Sequence, residues 1–369
     1  MLTLLSTFFI ISLTWHVSYP SNVLVFGLMT LIFLFYMKNP FPLYDKTINL
    51  LLCTILVIIF FLLINMTMYE DFSYLKINSY IKKMSFAIII FTFVLFFYKD
   101  QVKLLIKSIE YALFFIVSLW YMQLIMYYVS GHYIDLLEPL IGQPQRYQAY
   151  FMSSVDFIIR PTSLFTEPGT YAVNTFPLLS IIYIYYRKIT KIQILTLISY
   201  FASFSLFAII IATLYIIVIE FSSFKFELSK KNVIMFFLLA IVLMGLERYL
   251  YFRFVLEHNV GAVGLREHII NYWLSLDSKG ILLGQGNAQT RFLNYTVDDT
   301  SFLFKLIYEY GIFSIPFFIM LVYFYWGMPL VFLLIMFITK LTYLLYVFWF
   351  YLASVHIIQI SKRKSNYGQ

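Results

Sequence analysis

The sequence predicts an all-α polytopic membrane protein, a single integral membrane domain over residues 1–369 that crosses the bilayer about twelve times. Three observations predict it. Of 369 residues, 62% are apolar and 12% charged, where a soluble domain carries about 25% charged residues. Nearly uncharged runs of roughly 15 to 25 residues recur from end to end, the length that crosses about 30 Å of hydrocarbon at 1.5 Å per residue. Lys and Arg gather in the short connections between the runs. The aromatic content is 21%, and many Tyr and Trp residues stand at run ends, where such rings anchor at the headgroup level.

Taken in order, the run at 2–18 lacks the cationic segment and small-residue cleavage site of a secretory signal, so it is expected to remain as the first helix. Runs at 22–37, 48–66, 84–98 and 109–129 supply four more crossings. Cys53 lies inside an apolar run, which leaves no disulfide framework and no thiol metal cluster. Orientation follows from the cations, because cationic connections stay on the cytoplasmic side. Lys38 and Lys46 mark one such connection, Lys99, Lys103 and Lys107 a second, and Arg187, Lys188 and Lys191 a third. Lys225, Lys230 and Lys231 mark a fourth, and Lys362, Arg363 and Lys364 place the tail inside.

For the third and fourth connections to share a side, an even number of spans must separate them. Residues 194–219 are therefore expected to form a hairpin of two short helices that breaks near Ser203 to Ser205. The same parity splits 328–360 around Lys340, and runs at 171–186, 233–246 and 301–326 complete the set. Lys76, Lys82 and Lys83 run against the rule, falling in an outward connection. Because the basic loops account for topology, the formal charge of +8 calls for no nucleic-acid partner.

Only two connections are long, 131–170 and 247–300, and both are extracytoplasmic in this threading. Loops of this length in a compact protein are functional or disordered, and both are too rich in aromatic and aliphatic residues for disorder. They carry Arg146, Arg160, Arg248, Arg253, Arg266 and Arg291 in preference to Lys. Arginine presents a planar fork that grips phosphate oxygens bidentately, so an outward Arg-lined site suits a lipid diphosphate.

The first loop closes on Arg160-Pro161 and Glu167-Pro168-Gly169, running into a membrane helix. Pro161 holds Arg160 extended and Pro168 suits the first helical position. Glu167 then stands at a helix N-terminus, either as a capping carboxylate paired to Arg160 or as a base or hydrogen-bond acceptor for substrate.

In the second loop, residues 264–279 are expected to form an amphipathic helix along the interface. Leu265, Ile269, Tyr272, Trp273 and Leu276 make one stripe; Glu267, His268, Asn271 and Ser275 face the other way, with Arg266 at the border. Arg266 is a snorkelling cation or a phosphate ligand. Gly280, Gly284 and Gly286 follow, without the Lys-Ser/Thr of a nucleotide-phosphate loop. Asp298 and Asp299 then lead into a helix in which Lys305 and Glu309, four residues apart, can satisfy each other's charge. The five histidines are scattered and there is no Asp-x-Asp, so neither a metal nor another cofactor is expected.

Three blocks, in order, resemble the O-antigen and capsular repeat-unit polymerases, of one superfamily with the O-antigen ligases. Residues 160–172 resemble that family's Arg, Phe, Glu-Pro segment; Arg266 to Trp273 with Gly280 to Gly286 resembles its Arg and Gly-x-Gly segment; Asp299 to Gly311 resembles its acidic helix start and closing glycine. Arg253 and Gly264 also fit the Arg-to-Gly spacing of some polymerases, and the paired histidines of the ligases are absent.

The resemblance implies a metal-independent glycosyltransferase of the bacterial inner membrane that joins undecaprenyl-diphosphate-linked repeat units, with inversion, into O-antigen, the polymer of lipopolysaccharide, or into capsular polysaccharide. Its substrates are lipid-linked oligosaccharides among membrane lipids, and its expected partners are a chain-length regulator and a flippase. In this sequence Arg160 and Arg266, then Arg253, Arg146 and Arg291, with Gly169, Gly284 and Gly286, fall to the diphosphate, and Asp299, Glu167 or His268 to the base. A ligase, or a transporter of the lipid-linked unit, is the competing reading.

Overall fold

The computed structural model describes residues 1–15, 19–36, 45–67, 74–142, 144–147, 159–223, 260–285, 297 and 300–367. It is 80% helical with no strand among these residues. Five helices precede the first loop: α1 Leu2–Thr14, α2 Tyr19–Tyr36, α3 Asp45–Thr67, α4 Tyr74–Phe97 and α5 Val102–Ser130. After a short α6 at Glu138–Ile141 come α7 Pro168–Tyr186, α8 Lys191–Ala202 and α9 Leu206–Ser223. The second loop holds α10 Val260–Ser275 and α11 Ser278–Leu283. The chain closes with α12 Phe302–Tyr310, α13 Ile315–Tyr325, α14 Met328–Phe337 and α15 Tyr346–Tyr367.

By length and composition, three spans among the described residues can cross a membrane: Tyr80–Phe97, Val102–Ser130 and Phe302–Tyr325. Shorter apolar helices accompany them, among them Leu2–Thr14, Lys191–Ala202 and Met328–Phe337. These helices are apolar on their outer faces as well as their inner ones. On α13, Ile319 and Tyr323 are 62% and 78% exposed, and on α5 Phe114 and Ile125 are 58% exposed. A soluble protein rarely exposes apolar surface on that scale, whereas hydrocarbon chains cover it without penalty. The chain is thus a helical, membrane-embedded protein.

Inside, α15 is the central post, packed on α4, α7, α1, α5 and α13. Its aromatic face does the filling: Trp349 meets Phe91 of α4 edge-on at 6.0 Å and donates Nε1 to Tyr343 O at 2.6 Å. Tyr215 of α9, Phe332 of α14 and Tyr183 of α7 interlock at ring distances of 5.5 to 6.1 Å. Offset and edge-on rings at such separations attract beyond simple area burial, so the aromatic richness builds the core as well as marking run ends.

The polar ends of the helices sort onto two faces. On one, Ser108 Oγ of α5 donates to Thr3 O of α1 at 3.4 Å, and Lys362 Nζ donates to Ile184 O and Tyr185 O of α7 at 2.9 Å each. A cation on the closing carbonyls of a helix satisfies their lone pairs and the helix dipole together. Burial, with the Arg187 charge beside it, holds the Lys362 ammonium below the usual lysine range. The opposite face carries the first loop, the α8–α9 turn, the start of α12 and the α14–α15 turn.

The expected hairpin is present: α8 ends at Ala202 and α9 begins at Leu206, across a turn where Phe204 has φ +47°. The split around Lys340 is present too, between α14 and α15. Elsewhere the expectations need correction. α4 begins at Tyr74, ten residues before the expected 84, so Lys76, Lys82 and Lys83 belong to a helix and not to a loop; lysine stems can lie along a helix while the ammonium reaches water. The expected amphipathic helix starts at 260 and stops at Ser275, because Asp277 caps a new helix by accepting Gly280 N at 2.7 Å. The run 301–326 breaks into α12, a 3-10 turn at Gly311–Ser314 and α13. Gly311 lies at φ +51°, outside helical space, and Pro316 starts α13 without needing an N–H partner. The span expected at 233–246 lies outside the described residues.

Candidate functional site

The first loop is a folded polar cap on α5. Gln123, buried on α5, accepts Thr162 N at 3.2 Å and Ser163 N at 2.7 Å through Oε1, and donates Nε2 to Ile134 O at 3.0 Å and Gln145 Oε1 at 2.8 Å. Gln145 continues the clamp, donating Nε2 to Ser163 O and to Phe165 O, the latter at 3.1 Å. Asp135 accepts Leu137 N, Glu138 N and Gln145 N at 2.7 to 2.9 Å, which shapes the turn into α6. Tyr133 stacks on Tyr147 at 3.8 Å. Burial raises the Tyr133 phenol above the usual tyrosine range, with hydrogen bonding to Thr162 opposing it. Ser163 sits at φ +58°, a strained conformation for a non-glycine residue that persists where neighbours over-determine it. Here two glutamines and a bond from its own Oγ to Ile116 O at 2.7 Å hold it.

Beyond the clamp the loop runs over the α8–α9 turn. Arg160 is buried, 8% exposed, and donates Nε to Ser203 O at 3.3 Å. Glu167 takes the N-cap position of α7 with extended backbone, but its carboxylate does not cap the helix. It accepts Arg146 Nη1 at 2.7 Å instead, with both side chains substantially exposed. The partner anticipated for Glu167 was Arg160; the loop doubles back, Arg146 N to Thr166 O and Arg160 N to Tyr147 O at 2.7 Å each, and it is Arg146 that lands beside the carboxylate. Gly169, in the first turn of α7, approaches the hairpin so closely that a Cβ would stand 3.3 Å from Ser205 Oγ.

In the second loop, Ile269, Tyr272 and Trp273 pack against Val297, Tyr308 and Phe304, as the stripe predicts, while His268, Asn271 and Ser275 are exposed. The glycine segment meets the break between α12 and α13. Gln285 N donates to Tyr308 O at 2.8 Å, supplying a partner for a carbonyl that the break releases. A Cβ on Gly284, which has φ +84°, would stand 2.5 Å from Glu309 O, and one on Gly311 would meet Leu282 O equally badly. Two of the three sequence blocks are therefore in backbone contact, through Leu282, Gly284 and Gln285 of one and Tyr308 to Gly311 of the other.

The expected Lys305–Glu309 pair is present and buried, at 3.8 Å. Sequence reasoning missed its setting. Tyr343 OH donates to Glu309 Oε2 at 2.6 Å, Tyr310 OH and Tyr343 OH are 2.9 Å apart, and Tyr80 OH and Tyr310 OH 2.7 Å. Phe61 of α3 stacks on Tyr310 at 3.9 Å.

The first block reaches the others through the turns. Lys340 Nζ sits 5.9 Å over the Phe207 ring beside the hairpin turn, and the neighbouring Thr339 O accepts Phe302 N at 2.7 Å at the start of α12. Arg146, Arg160, Glu167, Gly169 and Lys340 thus share one end of the bundle. His268 is exposed on α10. Asp299, Arg248, Arg253, Arg291 and Gly286 lie outside the described residues; Arg266 is described in its backbone alone, as part of α10. Among the described residues no group of His, Cys, Asp or Glu is arranged to hold a metal ion. Comparisons with protein-family models, with curated proteins and with solved structures found no match.

Proposed function

We propose that the chain is a polymerase that joins oligosaccharide repeat units carried on undecaprenyl diphosphate, at the outer face of the bacterial cytoplasmic membrane. The threading of about twelve spans, with both termini inside and residues 131–170 and 247–300 outside, belongs to the same reading. The observation that carries it is the arrangement of arginines in a clamped first loop, at the N-terminus of a long buried helix. Guanidinium groups and a helix N-terminus together suit a diphosphate, which both attract and neither hydrolyses. The energy for bond formation already resides in the sugar–diphosphate linkage, so the protein has to align and to stabilise charge.

In this mechanism an acceptor hydroxyl attacks the anomeric carbon, its proton leaves for a base, and the bond to the diphosphate oxygen breaks with its electrons. A single displacement inverts the anomeric centre and leaves no covalent glycosyl-enzyme. Arg160 and Arg266 hold the departing diphosphate, with Arg146 at the rim. A chain-length regulator and a flippase are the partners that such a role requires, one to end the chain and one to supply lipid-linked units.

The test is elongation by the purified protein in detergent with a lipid-linked repeat unit. Arg160→Lys keeps a cation but loses the fork, and should slow elongation by about tenfold or more, with expression and monodispersity unchanged. Wild-type protein that makes no polymer, or Arg160→Lys and Arg266→Ala variants that both elongate at the wild-type rate, would overturn the proposal. Movement of the lipid-linked unit across vesicles without elongation would assign the chain to transport.

A further inference from the structure

The face of the bundle opposite the loops gathers cations from three separate segments. Lys103 and Lys107 stand on the first turns of α5, Arg187 and Lys188 follow α7, and Lys362 and Arg363 lie near the end of α15. All but Lys362 are exposed. The segments converge on the last turn of α7. Lys362 reaches the carbonyls of Ile184 and Tyr185, and Arg187 is near enough to act on its charge. The Glu110 carboxyl of α5 stands beside the Tyr186 hydroxyl and the Lys107 charge.

Retention of cationic connections on one side of a membrane asks only for their sidedness. It gives no reason for drawing them together, and two features here are costly. Arg187 caps α7 at φ +55°, a left-handed conformation that glycine adopts freely and a residue with a long side chain does not. A helix end that could use glycine keeps arginine instead, which points to a use for the side chain. Its guanidinium also stands by the Lys362 ammonium, a like-charge approach that a bound anion would offset. The surroundings say which anion. One and two turns deeper on α5, on the face that Lys107 shares, Tyr111 and Phe114 are 48% and 58% exposed, and Lys107 Nζ lies 5.7 Å over the Tyr111 ring. Ile189, next to Lys188, is 40% exposed. A soluble anion would meet the cations and leave that apolar surface bare, whereas a phospholipid covers both.

We propose that Lys107, Arg187 and Lys188 form a binding site for the headgroup of an anionic phospholipid, whose acyl chains lie along Tyr111 and Phe114. Lys362, bonded to the α7 carbonyls, holds the helix end on which Arg187 sits and is a positioning residue. The site lies on the opposite face from the Arg160 loop and does not depend on the glycosyl-transfer reading.

The experiment titrates the full chain in detergent with phosphatidylglycerol or with phosphatidylcholine of the same acyl chains. Native mass spectrometry reads the bound lipid, and a thermal melt reads stability. Phosphatidylglycerol should bind about tenfold more tightly than phosphatidylcholine and raise the melting temperature more. Arg187→Gly relieves the backbone strain while removing the guanidinium. Without anionic lipid it should melt no lower than wild type, yet its preference for phosphatidylglycerol should fall about fivefold. Lys107→Gln with Lys188→Gln should remove the rest. Lys82→Gln with Lys279→Gln, which takes the same charge from exposed positions on α4 and α11, should leave the preference unchanged. In wild type, amine-reactive labelling should show Lys107 and Lys188 shielded by phosphatidylglycerol and Lys279 unaffected, a readout that needs no variant to fold. Equal affinity for the two lipids, a wild-type preference in Arg187→Gly, equal losses in the two double variants, or unshielded Lys107 and Lys188 would overturn the site. A gain in melting temperature from inorganic phosphate equal to that from phosphatidylglycerol would overturn the lipid as its occupant.

Discussion

Replacing Gln123 by Leu tests whether the first loop is held by its glutamine clamp or merely lies on α5. Leucine keeps the volume and suits a helix facing a membrane core. What it removes is the acceptor for Thr162 N and Ser163 N, two backbone donors on buried residues. Of the three acceptors that Gln123 served, Ser163 O and Gln145 Oε1 keep other donors, from Gln145 Nε2 and from Leu136 N, while Ile134 O loses its bond from Gln123. A buried donor left unpaired costs about 1 to 3 kcal/mol, so the two together cost about 2 to 6 kcal/mol. That exceeds what a peripheral loop can lose while staying docked. The variant should open locally, with 159–167 exchanging amide hydrogens at least about 30-fold faster, since 1.4 kcal/mol corresponds to a factor of ten. The packing of α4 on α15 does not involve the clamp and should keep its protection. Hydrogen exchange read by mass spectrometry reports both regions in one sample. Unchanged exchange across 159–167 in Gln123→Leu would refute the clamp, and uniform loss of protection everywhere would refute its local character.

Four more expectations follow the same reasoning. Glu167→Gln removes an exposed ion pair worth about 0.2 to 1 kcal/mol; thermal stability should barely change, so any loss of elongation in this variant is a loss of chemistry and not of folding. Gly311→Ala puts a Cβ against Leu282 O in a backbone region that disfavours L-residues by about 1 to 2 kcal/mol; it should lower the melting temperature clearly, and α11 should become protease-sensitive. At Ser163, Ala keeps the strain of φ +58° and loses the bond to Ile116 O, whereas Gly loses the bond but relieves the strain. Ser163→Ala should therefore be the less stable of the two in a thermal assay. Tyr133 has its phenol raised in the folded loop relative to an unfolded chain, so its contribution is complete below the unfolded value of about 10 and falls away as pH rises beyond it. Protection of the loop should weaken above that pH in wild type, and Tyr133→Phe should lose this dependence.

How much of this was legible beforehand depends on the range of the interaction. The hairpin at 203–205 and the split near Lys340 followed from charge parity between short connections, a signal that counts crossings without needing to know what packs on what. The pairing of Lys305 with Glu309 was legible because it is a single helical turn. Tyr343 on Glu309 was not, for 34 residues and an entire helical hairpin separate them, and a tyrosine in an apolar run resembles every other tyrosine there. Gln123 gave only one hint, an amide inside an apolar run of α5, and nothing in its neighbours points to Gln145 or Ser163. The early start of α4 was hidden because lysines were read as loop markers, whereas a helix does not end where the hydrocarbon does. For Glu167, local reasoning chose the nearer arginine, seven residues away, over the one that the returning loop supplies from 21 residues away.

The twelve residues of α8 are a short element for the medium it meets. At 1.5 Å per residue they reach about 18 Å, against about 30 Å of hydrocarbon. Its outward side chains Ile194, Leu195 and Ile198 are apolar, so lipid tails must rest against them, and acyl chains along that flank have to shorten or tilt to match. Such mismatch carries a modest penalty for each ångström, and it falls on the leaflet around the turn where Arg160 is held. The expected consequence, where α8 crosses the bilayer, is a membrane thinned beside that turn, with chain length among the surrounding phospholipids acting on the protein through one helix.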